Sequence, residues 1–253
     1  MKNNATKIDP WKISELSESF ERLPARDLLA WTFETFGTDA AICTSFQVDG
    51  VVIIDIAYRA GLKPRIFTID SGRLPQETHA LIQEVRSKYE IDVEVYSPDA
   101  DDLMDMVTEN GVNLFYGGVP QRMRCCDIRK VAPLNHVLNG LGAWVTGLRR
   151  GQSKNREITP KIQIDSGHKG ILKINPLADW SEEQVWEYVK TNDVPTNALY
   201  KQGYTSIGCA PCTRPIEPGE DPRAGRWWWE SDTLKECGIH LTEEQVKELT
   251  GSR

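Results

Sequence analysis

The stretch Ala40–Ala60, AAICTSFQVDGVVIIDIAYRA, decides the fold. Ala40–Thr44 is a short apolar run and reads as a buried strand. Ser45, Phe46 and Gln47 make a short polar turn, and Val51–Ala60 reads as the helix that follows. A strand, a turn and a helix N-terminus leave backbone N–H groups pointing into the turn, which is a cradle for an anion or a nucleotide. The unit recurs: Arg65–Ile69 as a strand, Asp70–Arg73 as a loop, Pro75–Tyr89 as a helix, then strands at Asp92–Tyr96 and Ala143–Gly147. Strands alternating with helices predict an α/β fold, a doubly wound and mostly parallel sheet covered on both faces. Ligands in such sheets sit at the C-terminal ends of the strands. The Ser45 turn, the Asp70 loop and the Arg149–Arg150 loop all fall at that edge.

The first forty residues read as helical. Pro24 opens the segment Ala25–Phe36, whose Leu28, Leu29, Trp31, Phe33 and Phe36 mark an apolar face, and Gly37 closes it. Ser181 and Gln184 form a capping box with Trp180 and Val185 as a staple, and Thr242–Gln245 repeats the device. Residues 203–225 are rich in Gly and Pro and read as loop. The expected organisation is a nucleotide-binding α/β domain over 1–202 and a C-terminal segment over 203–253 with a mobile tail.

A chain of 253 residues with 40% hydrophobic side chains suits one large soluble domain with an extension. The longest apolar run, Val51–Ala57, is broken by Asp55 and is too short for a membrane span. Met1–Pro10 lacks the apolar core of a signal peptide, so a cytoplasmic protein is expected. The net charge of −7 argues against nonspecific nucleic-acid binding. Between Gln121 and Arg156, however, Arg122, Arg124, Arg129, Lys130, Arg149, Arg150, Lys154 and Arg156 face Asp127 alone, and Arg214, Arg223 and Arg226 follow later. Local basic clusters on an acidic protein suit a small anionic ligand.

Five of the six cysteines fall into three short motifs. Cys209 and Cys212 have the spacing that lets two thiolates reach one metal centre from a turn; the alternative is a redox pair, which normally opens a helix after a strand. Cys125 and Cys126 are adjacent, an awkward arrangement for one tetrahedral zinc ion. An iron–sulfur cluster, with its corners farther apart, accepts neighbours more easily, and two pairs supply the four ligands of a [4Fe–4S] cluster. Zinc, or a buried core cysteine, stays open for this pair. Cys237 has Lys235 and His240 nearby, and positive neighbours lower a thiol pKa and favour a nucleophile. Cys43, within the first strand, reads as core.

These motifs bear a resemblance. Residues 125–130 (CCDIRK), 146–153 (TGLRRGQS), the run from Cys209 through residues 225–230 (GRWWWE), and residues 235–240 (KECGIH) together resemble the assimilatory sulfonucleotide reductases, and most closely their iron–sulfur branch that acts on adenylyl sulfate. The resemblance runs from about Ala40 to His240. Residues 116–121 (YGGVPQ) and 48–50 (VDG) differ from the family pattern.

The resemblance implies a sheet like that of the adenine nucleotide alpha hydrolases and a [4Fe–4S] cluster on Cys125, Cys126, Cys209 and Cys212. It implies attack by Cys237 on the sulfur of adenosine 5′-phosphosulfate, with a thioredoxin or glutaredoxin-like dithiol as reductant. Ser45, Phe46, Gln47 and Ile69 would hold the adenosine, with Asp70–Arg73 lining the same cleft, and Lys130, Arg149, Arg150, Arg223, Arg226 and His240 are candidates to neutralise its phosphate and sulfate. The three tryptophans from Trp227 to Trp229 are assigned to packing, either of the tail or of a subunit contact, so homo-oligomerisation stays open. Alternatives are the same chemistry on the 3′-phosphorylated nucleotide, a nucleotide-dependent sulfur-transfer enzyme, and a zinc-binding regulator.

Overall fold

Among the described residues, six strands form one sheet: β1 (Ala40–Cys43), β2 (Arg65–Ile69), β3 (Glu94–Tyr96), β4 (Ala143–Val145), β5 (Ile162–Asp165) and β6 (Ile171–Ile174), in the order β3-β2-β1-β4-β6-β5. In this computed structural model the described residues are Ile13, 17–230, Glu236 and 238–241. β1 pairs in parallel with β2 and β4, β4 pairs in parallel with β6, and β5 runs antiparallel to β6. The chain steps outward from β1 to β3 and then returns to the other side of β1 for β4. That reversal opens a crevice at the C-terminal ends of β1 and β4. The α/β, mostly parallel sheet expected from the sequence is present.

The helices are α1 (Ala25–Phe36), α2 (Val48–Arg59), α3 (Gln76–Tyr89), α4 (Ala100–Asn110), α5 (Val119–Cys126), α6 (Ala132–Leu138) and α7 (Glu182–Asn192). α1 has the expected span and buries Leu28, Leu29 and Phe36; Gly37 ends it at φ 53°, its N–H donating to the Phe33 carbonyl. The Ser181 capping box forms in both directions, at 3.2 Å and 2.8 Å. The Thr242–Gln245 box lies outside the described residues.

The chain divides into two compact units. One takes the chain up to Thr68, Gln76–Glu94 and Leu138–Ala198; the other takes Ile69–Pro75, Val95–Val137 and the chain from Leu199 onward. The first unit contains most of the sheet. Its helix α2 is buried from Val48 to Ala57, so even its polar side chains are paired: Asp55 accepts hydrogen bonds from Tyr89 (3.0 Å), Tyr188 (2.7 Å) and Arg59 (2.7 Å). The core of the second unit gathers Met106, Phe115 and Trp227 around Cys125, Cys209 and Cys212. Among the described residues no helix is long and apolar enough to cross a membrane.

Two departures from the sequence reading have local causes. α2 begins at Val48, three residues before the expected Val51. Asp49 and Gly50 suggest a turn, yet Asp49 is buried and ion-paired with Arg149. Gly50 is required by close packing, since a Cβ there would lie 2.2 Å from Thr44 Oγ1. The β5–β6 hairpin was not anticipated. Lys173 interrupts the apolar run of β6, but it is buried, with its ammonium 4.9 Å from the Trp144 ring centre and 3.7 Å from Asp165.

Gly50→Ala is expected to destabilise the protein by about 1–3 kcal/mol, although alanine is favoured over glycine in a helix by about 1 kcal/mol. Urea unfolding checks this; an unchanged midpoint would show that Thr44 yields without cost.

Candidate active site

The second unit brings together the two cysteine pairs. Cys125 and Cys126 end α5, and the chain continues through a π-helical turn, Asp127–Val131, into α6. Pro133 follows this turn; it has no N–H to donate to the Arg129 carbonyl and its ring crowds that carbonyl, which disfavours a regular α-helical turn there. Instead, the Ala132 N–H donates to the Asp127 carbonyl. Cys209 and Cys212 flank a single 3₁₀ turn, Ala210–Cys212, closed by the Cys212 N–H donating to the Cys209 carbonyl at 2.9 Å. The Ala210 N–H donates to the Arg73 carbonyl at 2.8 Å, and the Trp227 N–H to the Cys212 carbonyl at 3.1 Å. The chain after Cys212 therefore folds back over it, and Gly225 allows the return, since a Cβ there would meet the Arg214 carbonyl oxygen at 2.3 Å.

All four cysteines are buried and line one recess, of about 300 Å³ counted to its open mouth. Arg73, Phe115, Arg129, Lys130 and Pro211 complete its wall. Ser71 Oγ is 3.1 Å from Cys209 Sγ, and Arg129 Nη1 donates to the Ser71 carbonyl at 2.7 Å. Burial pushes the Cys125 thiol up, against the charge of Arg129. Burial and the neighbouring Cys209 push Cys212 up to about 12. Cys209 goes the other way: burial opposes its ionisation, but Lys130, the Ser71 hydroxyl and Arg226 outweigh burial and lower it. The cationic neighbours thus favour the ionised form at Cys209 more than at Cys125 or Cys212.

The donor set fits a multi-sulfur anion. Around the cysteines, Arg129 Nε, Arg226 Nε, Trp227 Nε1 and Trp229 Nε1 are buried N–H donors without a hydrogen-bond partner among the described residues. Such donors are costly to bury unless an acceptor meets them. Among the described residues no group of three Cys, His, Asp or Glu side chains is arranged to hold a single metal ion. A four-iron cluster takes one thiolate per iron, so it does not require the sulfurs to converge on one point.

The remaining candidates separate by unit. In the first unit, Ser45, Phe46 and Gln47 follow β1 at the crevice. Ser45 is exposed, and Gln47 Nε2 donates to its hydroxyl at 3.3 Å. Phe46 is fully buried at φ 56°, so its ring is part of the core and its strained backbone shapes the turn. Arg149 Nε meets Asp49 Oδ1 at 2.5 Å, and Gln152 bonds the other Asp49 oxygen at 3.0 Å. Burial raises the Asp49 pKa against the opposing charge of Arg149. Arg150 bonds Glu21 at 2.5 Å and the Thr159 carbonyl at 2.9 Å. Both arginines therefore have partners within the first unit, Asp49 for Arg149 and Glu21 for Arg150.

In the second unit, Ile69 ends β2 and Lys130 lines the cysteine recess. Arg226 is buried, donates to Ser206 at 3.1 Å and stacks on Trp227 at 4.5 Å. Arg223 reaches Glu236 at 3.4 Å. His240 closes the 3₁₀ turn Gly238–His240, which packs against the π-helical turn. Cys237 lies outside the described residues. Ser71 and Arg73 belong to the Asp70–Arg73 loop expected along the nucleotide cleft; here Ser71 meets Cys209 and Arg73 lines the cysteine recess, while Arg129 is a recess residue that the sequence did not single out for ligand contact. The signal for Arg129 was its place between Cys126 and Lys130 in one motif.

Comparison with known proteins agrees with this geometry. Residues 39–215 match the phosphoadenosine phosphosulfate reductase domain. An adenosine 5′-phosphosulfate reductase of Allochromatium vinosum is 50% identical over 200 residues, 79% of this chain and 78% of that protein. One of Burkholderia cepacia is 45% identical over 238 residues, 94% of this chain and 92% of that protein. Among solved structures, the phosphoadenylyl-sulfate reductase of Candida auris matches with a TM-score of 0.73 at 26% identity, covering 83% of this chain and all (100%) of that one. The FMN adenylyltransferase of Candida glabrata, with a TM-score of 0.55 at 14% identity over 94% of this chain and 89% of that one, shares the fold alone.

Arg149→Met strands Asp49 in the interior and is expected to lower unfolding free energy by about 3–5 kcal/mol. Arg150→Ala, whose pair with Glu21 is about one-third exposed (33% and 31%), should cost no more than about 1 kcal/mol. Denaturant titration of both variants checks the ranking; equal costs would refute a structural role for the Arg149–Asp49 pair.

Proposed function

The chain belongs to the phosphoadenosine phosphosulfate reductase domain family, and on that premise we propose that it reduces adenosine 5′-phosphosulfate to sulfite and AMP in sulfate assimilation. The observation that carries the reading is the convergence of Cys125, Cys126, Cys209 and Cys212, from two distant motifs, on one recess with Lys130 and Arg129. Relatives named adenosine 5′-phosphosulfate reductase, at 43–50% identity over 78–92% of their length, support it.

In this reading the four cysteines hold a [4Fe–4S] cluster, which when bound supplies fixed charge and shape and does not pass electrons to the substrate. The Cys237 thiolate attacks the sulfate sulfur; the S–O bond to the phosphate breaks, AMP leaves with that electron pair, and a Cys237 thiosulfonate remains. A dithiol such as thioredoxin then attacks the Cys237 sulfur, sulfite departs, and the dithiol closes to a disulfide, giving up two electrons. The difficulty is an anion attacking an anion, which requires preorganised positive charge. In the second unit Lys130, Arg226, Arg223 and His240 are the candidates for it, Arg223 being paired with Glu236 as well. Arg149 and Arg150 act one step removed, by holding the loop after β4. The adenosine takes the β1 crevice beside Ser45 and Gln47, with Phe46 setting the turn and Ile69 at the end of β2. The reading keeps the protein in the cytoplasm, where the dithiol pool is reduced.

Anaerobic protein mixed with adenylyl sulfate, without reductant, is expected to gain one SO₃ group on Cys237 in intact-mass spectrometry and to lose it on adding thioredoxin. No adduct with this nucleotide but one with its 3′-phosphorylated form would transfer the assignment to that substrate. Cys209→Ala is expected to lose bound iron and acid-labile sulfide; wild-type iron content in that variant would refute ligation.

A further inference from the structure

Arg122 stands apart from the cations assigned above. It is wholly buried, on α5, three residues before Cys125. Its Nε donates to Glu230 Oε1 at 2.6 Å, its Nη1 to the Glu236 carbonyl at 3.3 Å, and its guanidinium lies 4.5 Å from the centre of the Trp227 ring. Arg223 holds the carboxylate of the same Glu236 at 3.4 Å. On the other side of Cys237, Gly238 is buried so closely that a Cβ would lie 3.1 Å from Val131 and 3.9 Å from the Cβ of Cys126. A buried ion pair is a weak source of stability, because desolvation offsets most of the attraction, but its bonds fix geometry when they form.

We propose that Arg122 is a positioning residue for Cys237. It ties Glu230 and the backbone of Glu236 to the helix that carries Cys125 and Cys126, so the residue just before the nucleophile in sequence is anchored to that helix. The inference rests on Cys237 being the nucleophile, and adds how that thiol is aimed. A misplacement of about 1 Å costs on the order of 100-fold in rate, so aim is the property that Arg122 should control.

The test uses Arg122→Lys, which keeps the charge but loses the flat face and the fork of donors, and Glu230→Gln, which keeps the shape but loses the charge. Each variant, with iron content checked against wild type, is mixed with adenylyl sulfate in a single turnover, and the rate of Cys237 adduct formation is followed by intact mass. Nucleotide affinity is measured separately in a Cys237→Ser background. The expected result is adduct formation slowed about 10–100-fold, with affinity within about twofold of wild type and the melting temperature well above that of the assay. A structural role alone would lower the melting temperature and leave the rate of folded protein unchanged; a wild-type rate in either folded variant overturns the proposal. If Arg122→Lys does not fold, Glu230→Gln decides by itself. Absence of a Cys237 adduct in wild type overturns the nucleophile assignment and this proposal with it, whereas a wild-type adduct with unslowed variants overturns the positioning role alone.

Discussion

Pro133 cannot complete the hydrogen bond that a continuous helix would ask of it, and the second unit is arranged around that deficit. The turn opens to π geometry at Asp127–Val131. Arg129 and Lys130, which follow the cysteine pair within that turn, reach the same recess as Cys125 and Cys126. Single π turns inside α-helices are often found at functional sites because one added residue changes which side chains face inward. Here it sets two thiols and two cations on one wall, and the Gly238–His240 turn packs on the same feature.

Electrostatics explains why that wall is held so firmly. Four buried sulfurs are tolerable as thiols in an apolar core, and the core of this unit does count three of them among its hydrophobic residues. As thiolates they would be untenable without compensation. Lys130, Arg129 and Arg226 supply it, together with the Ser71 hydroxyl. The cations lower the pKa of Cys209, whereas burial first and then the neighbouring Cys209 raise that of Cys212.

Much of this was legible from residues alone. Ala25–Phe36 announces its span with an apolar face between Pro24 and Gly37, and the cysteine pairs declare themselves by spacing. What stayed hidden was hidden by pairing. Asp49 and Gly50 look like turn formers until Arg149 and the Thr44 hydroxyl are in place. β6 hides because Lys173 looks exposed until Trp144 and Asp165 surround it. The Asp70–Arg73 loop was legible as a cleft segment, but the approach of Ser71 to Cys209 joins residues far apart in the chain and carries no spacing signal. Arg149 and Arg150 are anion-binding candidates by their charge, and the carboxylate partner of each in the first unit comes from a distant part of the chain. Charge is visible in a sequence, whereas its neutralisation depends on residues far along the chain.

The second unit is also discontinuous in the chain: it collects Ile69–Pro75, Val95–Val137 and the segment from Leu199 onward. During synthesis at roughly 5–20 residues per second, Cys125 and Cys126 leave the ribosome several seconds before Cys209 and Cys212. Through that interval the vicinal thiols lack the two later cysteines and the Trp227 segment that complete their burial. They are then as open to oxidants as any exposed thiol.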